Sequence, residues 1–332
     1  MIPSKCATPA ALKQSRRATI HVFPLTVPRP LVPEDGQRQT LSDCVLAALR
    51  DNGVSIQPGD VLCISSKVAG LHEGRMVQLD QITVSRRARW LAWIFRKDPH
   101  KMELILRAGP VTAVVPMRRI MKKRSGAQAV ERLSTDPETR KQAMDLLDRF
   151  EVFTVMHAAF INEAGIDMMN SPSGHVSQLP ESPGLTARSV RLALRESLGL
   201  HVPVIITDTV APIGRLGTVD VAIGFSGLVP VERKLIAEDL FGGLGPGGGT
   251  IVVDSIAAVA GVLMGQTTER TPAVLVRGCD YIAEDLDPSE DERCMERLTY
   301  PRGTAAPGVV LSVLCTLWYR LASLVVGGQN GP

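Results

Sequence analysis

The chain has 332 residues, 45% hydrophobic and 21% charged, with a formal net charge of +3 at pH 7. So balanced a charge gives no general case for nucleic-acid binding, and aromatics at 4% leave the core to Val, Leu, Ile, Ala and Met. Six separated cysteines without a C-x-x-C pair, and six histidines without an H-x-x-x-H pair, exclude the usual zinc spacings and a disulfide framework.

Residues 1–18 read as a loose basic leader without an apolar signal core, so a reducing cytoplasm is the expected setting. ATIHVFPL predicts a short strand, and the Pro-rich TVPRPLVPEDGQ follows it. LSDCVLAALRDNG has helical spacing at Leu41, Val45, Leu46 and Leu49, with a glycine stop after Asn52. DVLCISSKV reads as a buried strand opening into the polar turn LHEGR. RRARWLAWIFR and MELILRAG read as helices, and TAVVPM as a strand. The stretch 117–150 is the most charged, and its cluster Arg118, Arg119, Lys122, Lys123 and Arg124 reads as a solvated face. Thr135, Asp136 and Pro137 begin a helix running to about Phe150.

From residue 151 the chain turns to short strands: EVFTVMHAAFI, HVPVIITDT and DVAIGFSGLVPV, with the amphipathic helix LTARSVRLALRESLG between the first two. TIVVDSIAAVAGVLMGQ passes from β-branched residues into a helical pattern capped by Asp254 or Ser255, and PAVLVRG is a final central strand. Strands adjoin strands too often for a doubly wound sheet, which predicts an α+β fold with mixed or antiparallel sheets. Residues 309–326, VVLSVLCTLWYRLASLVV, are long enough to span a bilayer. However, Trp318, Tyr319 and Arg320 near their middle favour a core or subunit-interface helix, between Pro307 and Gly327-Gly328.

The run DLFGGLGPGGGT, 239–250, imitates a phosphate-binding loop. It has Gly249 where the P-loop lysine belongs, a charged segment before it and TIVV rather than a helix after it, so it reads as a surface connection that can border a site as a lid. A quieter set stands out. Asp167, Asp208 and Gln266 fall beside turn residues at expected strand ends, and IITDT delivers Asp208 and Thr209 to the end of an apolar run. Carboxylate, hydroxyl and amide oxygens are hard ligands, suited to magnesium or manganese bound with phosphate.

SSKVAGLHEGRMVQL, 65–79, resembles the motif S-K-x-x-S-x-x-E-G-R-x-V-x-L of the coenzyme F-420-0:L-glutamate ligase family. The similarity continues in register through KDPHKMELILRAG, NEAGIDMMN, QLPESPGLTARSVRLALRESLG, VIITDTVAPIGRLGTVDVAIGFSGLVP, EDLFGGLGPGGGTIVVDSIAAVAGVLMGQ and PAVLVRG, over roughly 20–280. The resemblance implies that family's α+β fold in an intertwined homodimer. It implies a domain at 19–284 with a charged insertion at about 117–145, followed by an extension, 285–332, with an apolar helix. The implied reaction joins L-glutamate to an acid, driven by GTP through an acyl phosphate.

Matched position by position, the resemblance makes Asp167 and Asp208 ligands of one divalent metal, and Thr209 with Gln266 ligands of a second. Ser66, Lys67, Asn170, Met264, Gly265, Thr267, Thr268 and Glu269 would touch the nucleotide, with Val27 and Pro28 at the family's first contact. Arg215, retained after the Asp-Thr pair together with Gly217, is the catalytic candidate. Departures are Leu71 at a usual lysine, Ala211-Pro212 at a usual Gly-Arg, Gly214 at a tryptophan, Glu163 at an asparagine and Ser255 at a glutamate. Losing a lysine and an arginine weakens the grip on phosphate or carboxylate. A ligase for another acid and amino acid, or a non-catalytic binding protein that kept the fold, are the alternative readings.

Overall fold

The computed structural model describes residues 19–28, 40–212, 215–232, 236–246 and 249–299. The basic leader and the apolar stretch 309–326 lie outside them. Among the described residues no helix is long and apolar enough to cross a membrane.

In chain order, β1 (His21–Leu25) precedes α1 (Leu41–Asp51), whose Thr40 hydroxyl accepts from the Asp43 N–H while the Asp43 carboxylate accepts from the Thr40 N–H. This reciprocal cap satisfies two donors that a helix start would otherwise leave open. β2 (Val61–Ser65) runs straight into α2 (Ser66–His72), so the SKV expected as strand is helix. β3 (Met76–Gln78), α3 (Arg86–Phe95), α4 (Pro99–Ala108) and β4 (Val111–Val115) follow. The charged stretch forms α5 (Met117–Met121), α6 (Arg124–Leu133) and α7 (Pro137–Leu146), the last capped by Asp136 and shorter than expected.

EVFTVMHAAFI is a hairpin rather than one strand: β5 (Glu151–Met156) and β6 (Ala159–Asn162) turn at His157 and Ala158, with φ of 47° and 62°. Two successive positive φ values give the twist that a tight hairpin needs. After β7 (His175–Ser177) come α8 (Pro183–Leu198), β8 (Val204–Val210), β9 (Val219–Ser226), β10 (Ile236–Glu238) and β11 (Leu244–Pro246). α9 (Val252–Met264), β12 (Ala273–Arg277) and α10 (Pro288–Glu292) complete the order.

The main sheet has the order β1-β12-β2-β8-β9, with β2 and β8 parallel and the other neighbours antiparallel. It is buried on both faces, and alternate residues divide between them except at the β8–β9 register shift, where Ile223 is the extra residue. Leu62, Ile64, Ile206 and Ile223 meet Val190 and Leu194 of α8, whereas Val61, Cys63, Ile205 and Phe225 meet Val253, Ile256 and Ala260 of α9. Smaller sheets pair β3 with β7, β10 with β11, and β4-β5-β6. The architecture is therefore mixed α+β, as the adjoining strands of the sequence suggested.

One detail departs from expectation. α9 starts at Val252, not at an Asp254 or Ser255 cap, and so follows the glycine run closely. Burial of Val253 against the sheet outweighs the weak helix preference of the β-branched pair, and Asp254 instead accepts from the Ala222 N–H at 3.0 Å. Asp285 and Asp291, in the segment expected as an extension, form ion pairs with Arg191 and Arg188 of α8.

α2 lies so close to the segment after β7 that a Cβ on Gly70 would stand 2.4 Å from the Gln178 carbonyl oxygen. Overpacking of this kind costs about 1–3 kcal/mol. Gly70→Ala is therefore expected to lower the urea midpoint at unchanged m-value, measured by circular dichroism.

Candidate functional site

Parallel pairing of β2 with β8 brings Ser65 opposite Thr207, so the residues after each lie side by side. Ser66 at the start of α2 donates its hydroxyl to Asp208 Oδ1 at 2.7 Å. Burial pushes the Asp208 carboxyl up to about 6; the Ser66 and Thr209 hydrogen bonds oppose this, and the charges of Asp220 and Asp167 add to it. The next residue continues the chain of contacts. Thr209 Oγ1 donates to Asp220 Oδ1 at 2.8 Å and accepts from Gln266 Nε2 at 3.0 Å.

A second segment arrives from the β6–β7 connection. Glu163, Ala164 and Gly165 take successive positive φ values of 52°, 55° and 68°, a strained path for the two residues that carry a Cβ. It leads to Asp167, whose backbone bridges Ser177. Lys67 Nζ donates to Asp167 Oδ2 at 2.6 Å and to the Met169 carbonyl. Asn170, itself left-handed, donates to the Thr267 carbonyl at 2.8 Å and ties this segment to the turn after α9. That turn folds on itself through the Thr267 N–H and the Glu269 carboxylate, 2.7 Å apart.

These groups line one cavity of about 1160 Å³. Ser66, Lys67, Asp167, Asn170, Asp208, Thr209, Met264, Gly265, Gln266, Thr267, Thr268, Glu269 and Val27 all face it. Two sequence candidates are not brought to it. Pro28 lies outside the lining and its carbonyl accepts from Arg270. Arg215, between β8 and β9 in the chain, is exposed and outside the lining. The expectation of strand ends also needs correction: Asp208 lies within β8, Asp167 follows a short 3-10 turn, and Gln266 follows α9. No described residue of the glycine run lines the cavity; Asp239 Oδ1 accepts from the Phe241 and Gly243 N–H groups, closing the tip of the β10–β11 hairpin.

Sequence reasoning missed Asp220. It is 8% exposed, pairs in register with Thr209, and has its pKa raised chiefly by burial. An acid inside the apolar run VDVAIGFS was the available signal. It missed equally the far end of the cavity, where Glu163, at 4% exposure, meets both Lys97 and Lys101, and Lys97 also reaches Asp148. Burial acts to lower the Lys97 pKa, but the bonds to Asp148 and Glu163 together carry it above its ordinary value.

The oxygen donors of Asp167, Asp208, Thr209 and Gln266 fit a hard divalent cation, and a buried carboxylate with a raised pKa gains most from positive charge. Sequence comparison supplies the relatives. The profile described as F420-0:Gamma-glutamyl ligase matches residues 32–278. The chain belongs to that family. It is 33% identical over 260 residues to "Coenzyme F420:L-glutamate ligase" of Methanopyrus kandleri, covering 78% of this chain and 87% of the relative. Proteins of the same description from Natronomonas pharaonis and Methanothermobacter thermautotrophicus are 34% and 29% identical, over 70% and 74% of this chain and 79% and 86% of theirs. As a member of the gamma-glutamyl ligase family the chain is an acid–amino-acid ligase. The matched residues include every candidate site position except Val27 and Pro28.

Because the folded Asp208 pKa lies above its unfolded value of 3.8, its contribution to stability is full below pH 3.8 and is lost as pH rises through about 6. Metal-free Asp208→Asn is expected to melt higher than metal-free wild type at pH 7.5, the gap closing below pH 4. Added Mn2+ should raise the wild-type melting temperature at pH 7.5 and leave the variant's unchanged. Calorimetry across that range reads both.

Proposed function

We propose that this chain is a GTP- and divalent-metal-dependent ligase that joins L-glutamate to a carboxylic acid such as coenzyme F-420-0 by way of an acyl phosphate. The observation that carries the reading is the convergence of Asp167, Asp208, Thr209, Gln266 and Lys67 on one cavity. Its volume of about 1160 Å³ exceeds the roughly 300–1,000 Å³ of an ordinary small-molecule site and leaves room for a nucleotide beside an acid. The names of the relatives support the choice of acid and amine.

Asp167 and Asp208 would hold one Mg2+ or Mn2+ ion, and Thr209 with Gln266 a second. When bound, these ions would neutralise charge developing on the phosphates. Lys67 offers a point charge to phosphate in exchange for its bond to Asp167. Ser66 fixes the orientation of Asp208, and Asp220 that of the Thr209 hydroxyl. Asn170 and the turn from Met264 to Glu269 shape the nucleotide end. The acid's carboxylate attacks the γ-phosphorus and GDP leaves; the glutamate amine, having lost a proton, attacks the acyl carbon and phosphate leaves.

A related ligase acting on a different acid is the second reading, and Leu71 favours it. This residue lines the cavity, 8% exposed, where the family resemblance expects a lysine, so the wall there is apolar. Phosphate release from GTP with Mn2+ is expected to require both an acid and L-glutamate, and to fall to background in Asp208→Ala. Release with another acid but not with F-420-0 would favour the second reading; absence of GTP binding in calorimetry would overturn the GTP-driven mechanism.

A homodimer belongs to the same proposal. The β10–β11 hairpin carries Leu240, Phe241 and Leu244 at 99%, 96% and 76% exposure, an apolar arm unsuited to water. Phe241→Asp/Leu244→Asp is expected to halve the mass measured by light scattering; an unchanged dimer would assign the interface elsewhere.

A further inference from the structure

A helix on a protein surface ordinarily turns its apolar stripe inward and its polar side out. α3 does the first and reverses the second. Ala88 and Ala92 are buried, yet Trp90 and Trp93 are 61% and 69% exposed, with Ile94 beside them. At helical spacing Arg86, Trp90 and Trp93 form one outward ridge, flanked by Arg87 and Arg89. Arg96 closes the helix with a left-handed φ of 53°. All four arginines are exposed, and among the described residues none has a carboxylate within ion-pair distance. Beside the ridge is a depression of about 310 Å³, lined by Arg89, Ala92, Trp93, Arg96, Lys97 and Pro99. Lys97 is turned inward to Asp148 and Glu163, so Arg89 and Arg96 supply its outward charge.

Tryptophan prefers the boundary between headgroups and acyl chains, and arginine the phosphates just outside it. A short helix with tryptophans along its outer ridge and arginines on both sides matches that layering when it lies flat. Charge complementarity selects the occupant. Residues 309–326 of this chain are apolar but contain no acidic residue and one arginine, Arg320, so they do not complement the arginines of α3. An anionic bilayer does. We propose that α3 is a peripheral docking surface for an anionic lipid membrane, with Trp90 and Trp93 at the headgroup–acyl boundary and Arg86, Arg87, Arg89 and Arg96 on lipid phosphates. The depression between Arg89, Trp93 and Arg96 takes one headgroup. This surface lies outside the ligase cavity and its function is independent of the reaction proposed above.

The test uses the full chain, sedimented with vesicles of phosphatidylcholine alone and of phosphatidylcholine mixed with phosphatidylglycerol. Binding is expected for the mixed vesicles, weakening steeply with added salt. Trp90→Ser/Trp93→Ser and, separately, Arg89→Glu/Arg96→Glu should each weaken it by roughly 10-fold or more, at unchanged melting temperature and GTPase activity. Equal binding by wild type and both variants would overturn the proposal. So would equal binding to neutral vesicles, which points to an apolar anchor elsewhere in the chain. Release of the protein from vesicles by soluble glycerol phosphate would reassign the depression to a free phosphate. Binding of a single-stranded oligonucleotide in place of vesicles, lost in the same variants, would make the surface a nucleic-acid site.

Discussion

One pairing governs the molecule: β2 lies parallel to β8 in a sheet whose other neighbours are antiparallel. Parallel neighbours end at the same edge, so whatever follows β2 stands next to whatever ends β8. The start of α2 and the Thr207–Asp208–Thr209 segment are thereby forced together, and the Ser66–Asp208 hydrogen bond records the contact. An antiparallel arrangement would have sent these groups to opposite edges. The sheet can hold this geometry because both of its faces are buried, by α8 on one side and α9 on the other.

The cavity that results has an uneven charge balance. Burial raises the pKa of three carboxylic acids on its wall, Asp208, Asp220 and Glu151. Carboxylates without nearby compensation are costly in a poorly hydrated place, and cations entering from solvent relieve that cost. At one end Lys67 gives partial relief through Asp167. At the other, Lys97 and Lys101 fasten Glu163 and so hold the strained Glu163–Gly165 turn that leads to Asp167. The two ends therefore act on the same short segment, one through its carboxylate and the other through its backbone.

The strands of the sheet were legible because runs such as VLCIS, VIIT and AVLV are apolar on both faces, and α1 and α8 because their apolar spacing is regular. Boundaries set by tertiary packing were not. The switch from β2 to α2 within SSK, and the start of α9 at Val252, depend on what lies against them. Asp167, Asp208, Thr209 and Gln266 could be singled out by residue type, but their convergence rests on pairings between distant segments. Asp220 shows why. Its meaning comes from the register that sets it opposite Thr209, and a lone acid in a strand carries no mark of that partner. Arg215 follows Asp208 closely in the chain, yet it is exposed and outside the cavity lining, so nearness in sequence gave no measure of nearness in space.

The order of the strands has a consequence for how the molecule comes into being. β1 pairs with β12, from opposite ends of the described chain, and β12 also supplies one of the two neighbours of β2. A chain emerging from the ribosome therefore exposes His21–Leu25 and Val61–Ser65 long before Ala273–Arg277 exists to cover them. Contacts so distant in sequence fold slowly, and unpaired apolar strands are aggregation-prone while they wait. The edge that assembles the cavity is thus completed late in synthesis, and β1 and β2 stay without their shared neighbour until then.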